Sequence, residues 1–159
     1  MPLRSSMTAV AVLLVLAGAS CGDDAPTEAA ETTAVIDRAE WGASLEQACD
    51  ELNEEYQDLV DTDPADRDEA VAYAERIEEF ALASVDLLDG AGVPSEDRRS
   101  ADTLAGHFDD LATAAGDLAD AADGADPDAA TEAADRIAEV GERINEVAAE
   151  LDVPSCGGY

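Results

Sequence analysis

Residues 101–122 read ADTLAGHFDDLATAAGDLADAA. Ala101, Leu104, Phe108, Leu111, Ala115, Leu118 and Ala122 recur at steps of three and four, the period of one helix face. In a strand the same residues would alternate between two faces. The stretch therefore predicts an amphipathic helix with a single apolar seam. The same spacing recurs on both sides of it. Ala130, Ala133, Ile137, Val140, Ile144, Val147 and Leu151 make one seam, and Leu45, Cys49, Leu52, Tyr56 and Leu59 make another. Ala70, Ala74, Ile77, Ala81 and Leu88 form a looser seam between them. Four seams predict four packed helices.

The breaks between seams carry helix-start and helix-stop residues. Asp63-Pro64 and Asp126-Pro127 each place a capping aspartate before a proline suited to the first helical position. Ser95, after Pro94, is the expected cap of the third helix. Gly90 and Gly92 close the second helix, and Gly124 marks the end of the third. Helices are expected near 34–60, 65–89, 96–122 and 127–151. Their short connections predict an all-α, antiparallel up-down-up-down four-helix bundle. Residues 66–95 and 126–155 also share Arg-Ile (76–77 and 136–137) and, at equal spacing, Val-Pro-Ser (93–95 and 153–155). A duplicated helical hairpin accounts for this spacing, as does chance in so biased a composition.

The chain has 39 acidic residues against 8 basic ones, all arginine, and a formal net charge of −31. That surface repels nucleic acid, whose binding needs phosphates neutralised by basic side chains. Hydrophobic residues make up 47%, too many for a disordered acidic chain, so a folded domain is expected.

Upstream of the seams, Arg4 is followed by the uncharged apolar run MTAVAVLLVLA (residues 7–17) and then by Gly18, Ala19, Ser20 and Cys21. The run is short for a membrane span, which needs about 20 apolar residues, and it has the layout of an export signal. AGASC resembles a bacterial lipobox, in which the cysteine is lipid-modified and becomes the first residue of the mature chain; Gly18 departs from the leucine commonest at its position. DDAPTEAAETT (residues 23–33) lacks bulky apolar residues and reads as a tether. The expected organisation is a lipoprotein signal peptide over 1–20, lipidated Cys21 with a flexible tether over 21–33, and a bundle domain over 34–159. The expected location is the outer face of the bacterial cell membrane, held by acyl chains.

With Cys21 lipidated, Cys49 and Cys156 form an even pair, which in an exported domain reads as a disulfide. Antiparallel packing places Leu151 above Cys49, so residues 152–156 must fold back along the bundle. Five extended residues reach about 16 Å, enough for the return. Two free thiols are the alternative.

Lipobox, tether, the cysteine-bearing helix WGASLEQACDELNEEY and the closing VPSCGGY together resemble small helical lipoproteins of actinobacteria. The likeness is one of layout. It implies location and fold, and it implies no activity.

Candidate chemistry is sparse. His107 is the only histidine. A di-iron bundle needs two Glu-x-x-His units, and phosphate-binding, dinucleotide and haem-attachment motifs are not present. The chain is expected to be no enzyme and to carry no cofactor. Asp61, Asp63, Asp66, Asp123, Asp126 and Asp128 fall in the loops after helices 1 and 3, which the bundle topology brings to one end. They are weak candidates for a divalent cation, and Asp63 and Asp126 have a sufficient structural role as helix caps. Tyr73, Phe80, Leu82 and Leu87 widen the apolar arc of helix 2, as a partner face or as bulk opposite the alanine-rich helix 3. Two functions fit: a lipid-anchored interaction or scaffold module whose partners are the membrane and an envelope protein, and a small-ligand or divalent-cation-binding lipoprotein.

Overall fold

Asp37 opens the first helix by accepting the amides of Ala39 and Glu40 on its side chain. The structure is a computed structural model and describes residues 37–57, 59 and 64–157. The segments read as an export signal (1–20) and as a tether (21–33), with Cys21, Asp61 and Asp63, lie outside the described residues. Among the described residues four long helices follow in order, α1 (Arg38–Glu55), α2 (Arg67–Gly90), α3 (Arg98–Gly124) and α4 (Pro127–Glu150), then a 3-10 turn (Pro154–Cys156). Among the described residues there is no strand. The all-α class is the one the seams predict.

The helix ends show where local chemistry departs from expectation. α4 begins as expected: Asp126 accepts the amides of Asp128 and Ala129, and Pro127 takes the first position. α2 begins at Asp66 and not behind Pro64. Asp66 accepts the Glu69 amide at 3.0 Å, and the Glu69 carboxylate turns back to the Ala65 amide at 2.8 Å. This reciprocal arrangement is a variant of the capping box. α3 begins at Asp97 and not at Ser95, and the Asp97 carboxylate pairs with Arg38 at 3.0 Å. α1 ends at Glu55, five residues before expectation. There Arg76 of α2 donates to the Glu55 carbonyl at 3.2 Å and lies 4.0 Å from the centre of the Tyr56 ring. A cation on a terminal carbonyl and an aromatic face is a favourable stop for a helix. α3 ends on Gly124, with Ala125 as the left-handed residue (φ 53°) and the Asp126 amide returning to the Ala121 carbonyl. Asp126→Ala should remove the α4 cap and lower unfolding free energy by about 1 kcal/mol. Urea denaturation checks this, and an unchanged midpoint would contradict the role.

The repeated sequence has a repeated backbone. Asp66 and Asp126 are both helix caps. Ala91 and Leu151 end their helices at near-identical angles (φ −77°, ψ −6° and φ −80°, ψ −7°). Gly92 and Asp152 follow at φ 61° and 63°. The two Val-Pro-Ser turns then close alike, with Asp97 donating to Pro94 and Gly157 to Pro154.

Phe108 and Leu104 of α3 share one buried cluster with Phe80 and Ala81 of α2 and with Val140, Ile144 and Ala148 of α4. Phe80 lies edge-on between Tyr56 (5.1 Å) and Phe108 (6.2 Å). Ala74, Ala81, Ala114, Ala115 and Ala148 are fully buried and let the helices approach closely. α2 packs extensively on α3, and α3 on α4; α1 meets α2 more sparsely and rests largely on the 3-10 turn. Arg67 at the start of α2 meets Asp123 near the end of α3, and Arg136 of α4 meets Asp117 of α3.

Candidate functional site

The most built part of the molecule is the junction of α1 with the segment after α4. Asp152 reverses the chain, and the Val153 amide returns to the Ala148 carbonyl at 3.0 Å. Val153 is fully buried, and the 3-10 turn then lays Ser155 and Cys156 against α1. Cys156 is bonded to Cys49, with Cα atoms 5.0 Å apart across a separation of 107 residues. The Ser155 hydroxyl donates to Glu46 at 2.7 Å, its amide donates to the same carboxylate, and Asn53 donates to its carbonyl at 2.6 Å. Gly157 presses on α4 so closely that a Cβ there would lie 2.7 Å from Asn145 Oδ1 and 3.0 Å from its Cα. The expected disulfide and the expected fold-back are thus both present. Glu46 and Asn53 are new. They lie three residues before and four after Cys49, on its helix face, and that spacing was the available signal.

The acidic end is occupied by structural work. Asp66 and Asp126 are caps, Asp128 lies in the first turn of α4, and Asp123 pairs with Arg67 at 2.5 Å. Arg67 also donates to the Asp123 carbonyl. An open groove there is lined mostly by alanines, among them Ala70, Ala121 and Ala130, with Arg67 at its edge. Among the described residues no group of three or more His, Cys, Asp or Glu side chains is arranged to hold a metal ion. The four described candidates do not converge, because caps point carboxylates at backbone amides and Asp123 faces a guanidinium. His107 meets Asp110 of its own helix at 3.9 Å. Calcium and sodium chlorides at matched ionic strength should raise the melting temperature equally, since screening of the −31 charge is the shared cause. A rise specific to calcium, read by thermal melting, would contradict this.

The four apolar residues of α2 do not share one exposed face, so of the two readings the burial favours bulk opposite α3 over a partner face. Phe80 is buried at 3% exposure. Tyr73 and Leu87, one heptad either side, are half-buried and packed against the core. Their seven-residue spacing follows the seam, so they supply the bulk opposite alanine-rich α3. Leu82 is off that seam and is 47% exposed, the only exposed large apolar side chain among the described residues.

No described helix is long and apolar enough to cross a membrane. Comparison with protein-family models, with curated proteins and with solved structures finds no match.

Proposed function

We propose that this chain is a lipid-anchored, non-catalytic interaction or scaffold module of the bacterial cell envelope, held at the outer face of the cell membrane through Cys21. The observation that carries this reading is the buried Cys49–Cys156 bond. Disulfides form and persist in oxidising compartments outside the cytosol, which agrees with the export layout of residues 4–21. Two further features favour interaction over small-ligand or cation binding. Apolar side chains fill the described core, and Asp66, Asp123 and Asp126 are committed to caps and an ion pair. The charged exterior is then the surface on which partners would act, with electrostatics setting orientation and rate. Crosslinking in intact cells followed by mass spectrometry tests the role. The expected product joins this chain to another envelope protein, and recovery of the chain free of any crosslinked protein would overturn it.

A further inference from the structure

α1 is held in an unusual way for a bundle helix. α3 packs along both α2 and α4, whereas α1 reaches α4 chiefly through an inserted segment. One side of that segment, Val153 and Gly157, is seated on α4 at Ala148 and Asn145. Its other side, Ser155 and Cys156, is fastened to Glu46, Asn53 and Cys49 of α1. α1 in turn contributes Trp41 and Leu45 to the core, and Tyr56, which follows it, lies there too, so release of α1 with Tyr56 would expose them.

We infer that residues 153–157 and the Cys49–Cys156 bond form a latch for α1, and that reduction by a dithiol opens α1 and this segment together while α2–α4 stays packed. The chemistry is ordinary thiol–disulfide exchange. A thiolate of the dithiol attacks one protein sulfur and expels the other as a thiolate, giving a mixed disulfide. The second thiol of the reductant then closes its own disulfide and releases the remaining sulfur. Two electrons pass to Cys49 and Cys156, each sulfur takes up a proton, and the dithiol is oxidised. Cys49 and Cys156 are 7% and 2% exposed, so attack follows partial opening of the segment, a sub-global event that leaves the best-packed helices intact. The inference concerns the folded domain and stands apart from the lipid anchor.

Hydrogen exchange read by mass spectrometry on the full chain tests it, comparing oxidised protein with protein reduced in place by dithiothreitol. Protection should fall at least ~10-fold in residues 38–56 and 151–157 and change less than ~3-fold in residues 104–115. Equal loss in all helices, or unchanged protection of α1, would overturn the latch. Trp41, the only tryptophan, gives a second readout. In reduced protein its fluorescence should shift at lower urea than the far-UV helix signal, and coincident transitions would count against a separate opening. In oxidised protein Gly157→Ala should speed reduction by dithiothreitol several-fold, because the added methyl meets α4 backbone. An unchanged rate would show that the segment does not gate access to the bond.

Discussion

Phe108→Ala should lower the free energy of unfolding by about 3–5 kcal/mol, the range for removing a buried aromatic ring. Phe108 is the largest fully buried side chain, at 2% exposure, and lies edge-on to Phe80 across the α2–α3 interface. Its deletion removes contacts from the two best-packed helix pairs at once, since α3 lies against both α2 and α4. The loss exceeds the transfer cost alone because α3 offers mainly alanines to refill the space. Leu82→Ala is the matched control. Leu82 is 47% exposed, and its truncation should change stability by no more than about 0.5 kcal/mol. Urea denaturation of both variants decides. A loss below about 1 kcal/mol for Phe108→Ala, or comparable losses for the two, would show that the core is not centred on the α2–α3 ring pair.

Joint replacement of Cys49 and Cys156 by serine should cost the docked state about 2–5 kcal/mol. The bond spans a separation of 107 residues, and in the chain-entropy model a loop of about 100 residues is worth near 4.7 kcal/mol. The hydrogen bonds from Ser155 to Glu46 and from Asn53 to Ser155 remain available in the variant, so the change isolates the covalent link. The midpoint of the Trp41 fluorescence transition in urea measures it. A midpoint equal to that of the oxidised parent would mean that the segment docks as well without the bond.

The fold was legible because its information is periodic. The three-and-four spacing from Ala101 to Ala122 recurs in each seam, and the seams became α1 to α4 within a few residues at most ends. Where ends moved, a tertiary or reciprocal contact decided. α1 stops at Glu55 because Arg76, from another helix, takes its carbonyl, which no local pattern announces. α2 starts at Asp66 because Glu69 answers it; the Asp-x-x-Glu spacing was there to be read but was outweighed by Asp63-Pro64. Both readings of the wide apolar arc of α2 were open in the sequence, and burial of Phe80 at 3% exposure favours bulk opposite the alanine-rich α3 over a partner face. At the junction, the cysteine pair was legible by parity, whereas Glu46 and Asn53 acquired meaning only once Ser155 was placed beside them. The repeat showed its weight through backbone angles, since Gly92 and Asp152 share a left-handed conformation that sequence identity does not encode.

The central claim of the functional reading is anchoring through Cys21, and membrane fractionation of a Cys21→Ser variant tests it most directly. Two or more acyl chains hold a protein stably where one does not, at about 0.8 kcal/mol per buried methylene. The parent chain should sediment with membranes through a high-salt wash, and Cys21→Ser should appear in the soluble fraction with its Cys49–Cys156 bond intact. A Cys21→Ser chain that stays with membranes after the wash would contradict the lipid anchor.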